Sequence, residues 1–329
     1  MTKYELKDQK EKESEIKRTL RKARIPKDAT PEQIKSCLIN YVAKGKLDYR
    51  KIRFSDELMA DPDFLLSIYR ANPNMTLHCK FYPKKELQDN VDFMIEYVKI
   101  RHTTEMQSIH MQDNSNWCQT KLEWIADDYT KAMANPEFIT KLAKAFPEQK
   151  IIPLIKYCYV KIHAFTLFWK EKEKQDMARY KECLSSLPVE ILCEDVRKHG
   201  WRVLTEVPND IANFNKLVSA GIEKDGFGAL GYLHITQVVD NKDLVVKAYE
   251  KEGIQKLIEY IKDSLSPNRT RYYYCNGEMH NCAQYDQKYE DVQKALIASP
   301  EIQEIFRKEK LIVSTKELRT SYLSIEQCK

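Results

Sequence analysis

The sequence predicts a mostly α-helical protein: an irregular array of antiparallel helix pairs, similar to a helical-repeat protein, with a small β-hairpin near the C-terminus. One recurring pattern predicts the helices, namely a capping residue, often followed by proline, then an acid and a run of apolar residues. Only 8 glycines occur among 329 residues, which argues against a fold rich in tight turns. An apolar fraction of 43% is too high for a disordered chain.

The recurring pattern stabilises a helix start. An Asp, Asn or Ser side chain accepts hydrogen bonds from unpaired N–H groups of the first turn, and proline fits there because it has no N–H to leave unpaired. The acid that follows faces the positive end of the helix dipole. The pattern is strict at 61–64, 135–138 and 299–302 and looser at 89–93 and 240–244. These intervals are uneven, so they define no fixed tandem period.

The other helices follow from caps, breakers and apolar spacing. Thr30-Pro31-Glu32-Gln33 is a capping box, and apolar residues then recur at helical spacing until Gly45 ends the helix. Comparable signals predict helices at 4–24, 61–70, 84–102, 124–129, 136–146, 153–184, 189–199, 210–220, 241–252, 254–265, 289–309 and 315–327.

The β-hairpin is predicted at 270–283. Segments 270–275 and 278–283 flank Asn276-Gly277, a preferred two-residue turn because both positions need positive φ. This register pairs Cys275 with Glu278 and places Cys275, His280 and Cys282 on one face. Zinc normally takes four ligands, and no Cys-x-x-Cys pair occurs in the chain. We therefore expect ordinary cysteines and no cofactor, with a zinc ion as the alternative.

Tyrosine and arginine concentrate in and after this hairpin. Both residue types give a large contact area with a polar tip and are enriched where proteins bind one another. The alternatives are stacking on single-stranded bases and packing of the strand on neighbouring helices. The candidate partner-binding residues are Arg269, Arg271, Tyr272, Tyr273, Tyr274, Tyr285 and Tyr289.

Charge is unevenly placed. The net charge is +5, and residues 1–27 alone hold ten Lys or Arg against five acids, while the rest balances at 44 of each. Such a run forms either a solvated helix or frayed arm, or an arm for RNA, DNA or anionic lipid. Its apolar positions are too few for strong membrane insertion. The candidate nucleic-acid residues are Lys17, Arg18, Arg21, Lys22, Arg24 and Lys27.

We expect three segments: a charged arm or helix at 1–27, an N-terminal helical lobe at 28–186 and a C-terminal helical lobe at 187–329. The boundary is placed at 170–188, because the charged stretch 170–174 belongs in solvent or between lobes. The most apolar stretch, 151–169, is interrupted by two lysines and a histidine, so it predicts a buried helix and not a membrane span.

Cysteine usage indicates a reducing compartment. The chain has 9 cysteines, an odd number without the spacing of a disulfide framework. The N-terminus is rich in Lys and Glu and does not resemble a signal peptide. We expect an intracellular protein, with the cytoplasm as its compartment.

The segment Gly226-Phe227-Gly228-Ala229-Leu230-Gly231 matches a dinucleotide-binding fingerprint on paper. That fingerprint requires a strand before it and a helix after it, so that the helix N-terminus meets the pyrophosphate. The preceding residues 214–221 look helical instead. We expect a glycine-rich turn between helices.

The same region resembles the junction between two ankyrin repeats. The resemblance rests on Leu217-Val218-Ser219-Ala220-Gly221, Lys224-Asp225-Gly226-Phe227-Gly228 and Leu233-His234, and it covers residues 217–254. It implies helix–turn–helix units that bind protein, with His234 as a buried residue bracing a turn. The sequence departs from the family, since Gly231-Tyr232 stands where Thr-Pro is expected.

The chain shows no Gly-x-Ser-x-Gly, His-Glu-x-x-His or Gly-Lys-Ser/Thr motif. A non-catalytic protein that binds another protein through a surface patch is therefore the hypothesis the sequence favours. The alternatives are a nucleic-acid-associated protein, which would use the basic run and the tyrosines, and an enzyme whose residues meet only in space. Oligomeric state is left open.

Overall fold

The structure is a computed structural model, and it describes residues 3–44, 48–110, 122–160, 169–233, 235–264, 272–275, 278–281, 286–313 and 325–327. It is mostly helical, with many helices packed against one another. The chain divides into two units, Met1–Gln149 and Lys150–Lys329. This division differs from the predicted boundary at 170–188, because the helix Trp169–Ser186 packs on the helix Ile151–Tyr159 of the second unit.

The first unit contains eight helices among its described residues, with short 3-10 turns between α2 and α3 and between α4 and α5. They are α1 (Lys3–Lys22), α2 (Pro31–Ala43), α3 (Asp56–Met59), α4 (Pro62–Ala71), α5 (Val91–His110), α6 (Glu123–Asp128), α7 (Thr130–Met133) and α8 (Pro136–Ala145). Their core forms where α2 packs on α4, α4 on α5, and α5 on α8.

Three predicted caps are confirmed in this unit. Thr30 Oγ1 accepts from the backbone N–H of Gln33 at 3.3 Å, and the Gln33 side chain accepts from the N–H of Thr30 at 2.9 Å. The carboxylate of Asp61 accepts from Phe64 N at 3.0 Å and begins α4. The amide oxygen of Asn135 accepts from the second residue of α8 at 2.9 Å. Each cap satisfies an N–H that the helix itself leaves unpaired.

The second unit contains ten helices among its described residues. They are α9 (Ile151–Tyr159), α10 (Trp169–Ser186), α11 (Val189–His199), α12 (Phe214–Asp225), α13 (Phe227–Leu230), α14 (Ile235–Asp240), α15 (Lys242–Glu252), α16 (Ile254–Glu259), α17 (Asp286–Ile297) and α18 (Pro300–Lys308). A 3-10 turn, Trp201–Glu206, follows α11, and a π-turn, Tyr260–Ser264, extends α16.

Helices α11, α12 and α15 lie side by side and run in the same direction. Their C-terminal ends meet, because Lys224 donates to the carbonyl of Lys198 and Lys251 donates to the carbonyl of Glu223. The starts of α12 and α15 meet as well, where Asn215 Nδ2 lies 2.5 Å from Asn241 Oδ1. The three helices therefore form one layer of the second unit.

Each of these three helices ends at a glycine in the left-handed region. The φ angles are +78° at Gly200, +57° at Gly226 and +82° at Gly253. A glycine adopts this conformation without the steric cost that a Cβ brings. The chain reverses there and begins the 3-10 turn after α11, α13 after α12, and α16 after α15.

Two short antiparallel strand pairs occur in the second unit. β1 (Tyr272–Cys275) pairs with β2 (Glu278–Asn281), with Tyr273 opposite His280 and Cys275 opposite Glu278. β3 (Leu311–Val313) pairs with β4 (Ile325–Gln327). The predicted turn at 276–277 lies outside the described residues.

Several sequence predictions need correction in the second unit. The predicted helix 210–220 is observed at Phe214–Asp225, since it continues through Gly221. The predicted helix 315–327 is wrong at its end, because residues 325–327 form β4 and pair with β3. At 299–302 the side chain of Ser299 makes no cap bond, although proline does begin α18. None of the helices in the described parts of the chain has the length and apolar character needed to cross a membrane.

Candidate functional site

A groove of about 420 Å³ crosses the exposed face of α11, α12 and α15. On the central helix it is lined by Ser219 and Ala220, two short side chains that we call its floor. Longer side chains on the helices to either side form its walls, among them Glu190 and Arg197 of α11 and Asp243 of α15.

Three charged side chains fix one end of this groove. The carboxylate of Glu223 on α12 accepts hydrogen bonds from both neighbours: from Arg197 Nε of α11 at 2.6 Å and from Lys247 Nζ of α15 at 2.8 Å. Lys247 also donates to Ser219 Oγ at 2.7 Å. The hydrogen bonds from Lys247 and Arg197 hold the pKa of Glu223 below its ordinary value. This network ties the three helices together at the surface.

Cys193 lines the groove but does not form a reactive centre. Its side chain is 7% exposed, and its Sγ lies 3.7 Å from the carbonyl oxygen of Lys216. Burial raises the pKa of this thiol, so it stays protonated near neutral pH. No histidine lies among the residues that line the groove. A nucleophilic thiol requires a lowered pKa or an adjacent base, and the groove supplies neither.

A basic surface covers part of the first unit, and here the structure places the predicted basic run. Arg18 donates to the carbonyl of Lys51 at 3.3 Å, which docks the second half of α1 on the chain segment after α2. Lys17, Arg21 and Lys22 are exposed on α1, and Arg24 and Lys27 are exposed just after it. The run therefore covers the last turns of α1 and the residues that follow it.

A third cluster, in the first unit, is closed. Arg101 is 7% exposed on its side chain, and its guanidinium lies 3.9 Å from the ring centroid of Trp124 and 4.7 Å from that of Tyr82. Its nitrogens reach Glu105 at 3.0 Å and Asp128 at 3.2 Å. These contacts engage the guanidinium with two rings and two carboxylates, so the cluster stabilises the unit.

The structure does not test the predicted Tyr/Arg patch. Arg269, Arg271 and Tyr285 lie outside the described residues. Tyr272, Tyr273 and Tyr274 lie on β1 and Tyr289 on α17, where the structure describes the backbone only. The patch therefore stays a prediction.

The zinc alternative is likewise not tested. Cys275 lies on β1 and His280 on β2, while Cys282 lies outside the described residues. Among the residues that the structure does describe, no three His, Cys, Asp or Glu side chains gather as metal ligands.

The glycine-rich segment is not simply the predicted turn between helices, because residues 227–230 form the short helix α13. Gly226 ends α12 and begins α13, a helix of a single turn. The element that precedes it is a helix, so the strand that a dinucleotide site requires is missing at this place. His234 lies outside the described residues, and the ankyrin resemblance stays a prediction.

Comparison with protein-family models, with curated proteins and with solved structures gives no match for this chain. A proposal about function therefore rests on the geometry of the groove in the second unit and of the basic surface in the first unit.

The groove could have been found from a short recurring signal. Lysine, a polar residue, glycine and a large apolar residue follow one another at 198–201, 224–227 and 251–254. These three segments mark the ends of α11, α12 and α15, so aligning them would have predicted the layer and its shared face.

Proposed function

We propose that this chain is a non-catalytic binding protein, and that the groove across α11, α12 and α15 receives a segment of another protein. One observation carries the proposal: three parallel helices together line a groove of about 420 Å³, with Ser219 and Ala220 on the central helix. Helices held in register make a rigid surface, and rigidity lowers the entropy cost of binding. The same layer is also the support for our proposed fold: an array of similar helical units, each ending at a glycine, followed along the chain by the β-hairpin.

The chemistry of the groove supports binding over catalysis. Its polar groups include Asn215, Lys216 and Asp243, which are exposed and suited to hydrogen bonds with a peptide backbone. Its thiol is protonated, and its carboxylate Glu223 is paired with Arg197 and Lys247, while Glu190 and Asp243 are two further carboxylates of the lining. An enzyme would need an activated nucleophile or an unpaired acid–base group at such a place.

Filling the groove tests the proposal. Ser219→Tyr places a ring over the floor, and Ser185→Tyr adds the same ring at an exposed position of α10 away from the groove. We expect affinity capture from lysate of the source cells to recover a protein with wild type and with Ser185→Tyr, and to lose it with Ser219→Tyr. Equal recovery with both variants, at matched circular dichroism and melting temperature, would contradict the proposal.

The Tyr/Arg patch is a second surface for the same function. Its predicted residues lie in 269–289, and its contribution is separable from that of the groove by substitution. We expect Arg271→Ala and Tyr273→Ala to remove a bound protein if the hairpin is the contact. Retention of the full set of captured proteins by both variants would count against the patch.

We also propose the cytoplasm as the compartment, on the cysteine usage described above. Fractionation of the source cells, with recovery of the chain in the cytoplasmic fraction, checks it.

A further inference from the structure

We infer that the basic surface of the first unit binds the phosphodiester backbone of a nucleic acid. The surface is defined by Lys17, Arg18, Arg21, Lys22 and Arg24 of α1 and its end, together with Lys51, Arg53 and Lys80. It lies in a different unit from the groove and needs a different partner. The inference therefore stands apart from the proposed protein-binding function.

Tertiary packing fixes α1 in place. Thr19 is 1% exposed, and its Oγ1 accepts from the backbone N–H of Arg53 at 3.0 Å. Arg53 Nη1 donates to Glu15 Oε2 at 3.3 Å, one turn earlier on the same face of the helix. Two adjacent turns of α1 are thereby tied to the segment after α2. The same packing holds in place Lys17 and Arg21, which lie on the opposite face of α1.

The surface has far more positive than negative charge. Glu15 is approached by Arg53 at 3.3 Å and by Arg18 and Lys80 at 3.8 Å each, so one carboxylate serves three cations. Lys51 has its own partner, Asp48, at 2.8 Å.

The remaining cations are unpaired. Within the described part of the chain, Lys17, Arg21, Lys22 and Arg24 are exposed and make no ion pair. Together with the three cations that share Glu15, they create a positive potential around this end of α1 that attracts a polyanion.

The arrangement favours a nucleic acid over a membrane. Lys17 and Arg21 are one helical turn apart, about 6 Å along the axis, which presents a row of charges to a linear chain of phosphates. Binding at a membrane surface requires an apolar helix face that enters the lipid. The apolar residues of this part of α1, Ile16 and Leu20, are half-buried on the docked side, and the exposed side carries cations. A lipid surface would find no apolar anchor here.

Salt dependence provides the measurement. Fluorescence anisotropy of the full chain is followed with a labelled 20-nucleotide single-stranded RNA and, separately, a 20-base-pair DNA duplex, from 50 to 250 mM KCl. The test variant is Lys17→Ala/Arg21→Ala/Lys22→Ala. The control, Lys172→Ala/Lys174→Ala/Arg179→Ala, removes the same charge from exposed positions of α10.

We expect wild type and control to share one affinity and one salt slope. The test variant should bind at least tenfold more weakly at 50 mM KCl. Its log–log salt slope for RNA should be smaller by about 2, since three phosphate contacts contribute about 0.7 each. The same titration with the DNA duplex, where each phosphate contact contributes about 0.9 to the salt slope, shows which of the two nucleic acids binds more tightly.

A variant with increased affinity excludes misfolding as the cause of the weaker binding. Glu15→Gln removes the negative charge beneath Arg18 and Arg53, and we expect it to bind the same RNA several-fold more tightly than wild type at 50 mM KCl. No gain, or an equal loss of affinity in the test and control triple variants, overturns the inference. So does binding to vesicles with 30% phosphatidylserine in the absence of binding to either nucleic acid.

Discussion

The carboxylate of Asp225, the last residue of α12, accepts a hydrogen bond of 2.6 Å from the backbone N–H of Trp201. Trp201 begins the 3-10 turn after α11, so the end of one helix caps the start of the element before it. Glu252, the last residue of α15, bonds in the same way to Phe227 N at 2.6 Å. Asp195 of α11 likewise accepts from Ile151 N at 3.1 Å and Ile152 N at 2.8 Å, at the start of α9.

These three carboxylates connect successive parts of the second unit. Each one accepts from N–H groups at the start of an element that lies earlier in the chain. The caps in the first unit are local, whereas these caps are tertiary. The order of helices in the layer is therefore fixed by hydrogen bonds as well as by apolar packing.

Removing the cap at Asp225 should destabilise the second unit. We expect Asp225→Ala to lower the free energy of unfolding by about 1–2 kcal/mol, because the N–H of Trp201 loses its acceptor. Glu250→Ala, at an exposed position of α15, is the control and should stay within about 0.5 kcal/mol of wild type. Urea unfolding followed by circular dichroism gives the difference. Faster amide exchange around residue 201 in Asp225→Ala would localise the loss of stability to the capped turn. Equal exchange in both variants would contradict the prediction.

Gly253 and Gly226 should respond differently to alanine. A Cβ at Gly253 meets nothing within 4 Å, so Gly253→Ala carries only the backbone cost of a positive φ, about 1 kcal/mol. A Cβ at Gly226 would overlap the carboxylate of Glu252, so Gly226→Ala also breaks the cap on Phe227 and costs about 1–2 kcal/mol more. Thermal unfolding ranks the two variants. Equal melting temperatures would show that Glu252 moves aside freely.

Asp195 should make stability depend on pH. Burial, opposed by the N–H groups of Ile152 and Ile151, raises the pKa of Asp195 from 3.8 to about 6. Between these values the folded state keeps a proton that the unfolded state has lost. Its contribution to stability is therefore greatest below about pH 4 and falls by up to about 3 kcal/mol as the pH rises through 6.

The measurement compares two variants, because other carboxylates also titrate in this range. His199 Nε2 lies 3.6 Å from Asp195 Oδ1, so both proteins carry His199→Gln and one also carries Asp195→Asn. We expect the difference in unfolding free energy between them to change with pH from 4 to 7 in the stated direction. A constant difference over this range would refute the raised pKa.

Replacement of Arg101 by lysine should lower the stability of the first unit. Arg101→Lys keeps the charge but loses the planar stacking on Trp124 and Tyr82, and we expect a loss of about 1–2 kcal/mol in the first unit. Arg70→Lys is the matched control, since Arg70 is 59% exposed and pairs with Glu96 at 3.5 Å. Urea unfolding and the near-ultraviolet signal of Trp124 report the change. A near-ultraviolet spectrum and stability identical to those of the Arg70 variant would rule out the stacked arrangement as stabilising.

The helix starts show where sequence reasoning succeeds and where it fails. Asp61 and Asn135 cap their helices as predicted, because an N-cap involves residues only two or three positions apart. Ser299 stands in the same pattern, yet its buried Oγ has no hydrogen-bond partner among the described residues. The local sequence is equivalent at the three positions, so the difference comes from the packing around each one.

At Gly221 the sequence predicts a helix end that the structure does not have. Helix α12 continues to Asp225. A Cβ at Gly221 would lie 3.1 Å from both Ala229 and Leu204, so the glycine permits close approach of α13 and the turn after α11. Its role depends on residues from two other elements, and a local pattern does not reveal them.

The sequence by itself determined the helical class, the positions of most helices and the basic run, since caps and apolar periodicity act within one or two turns. Only the tertiary structure decided which helices lie side by side, that Asp195, Asp225 and Glu252 cap earlier elements, and that Arg53 and Lys80 join the basic run around Glu15. These contacts link residues 24 to 65 positions apart, as between Trp201 and Asp225 or Glu15 and Lys80. They form only when burial of apolar faces has brought the helices together, which is why no local pattern encodes them.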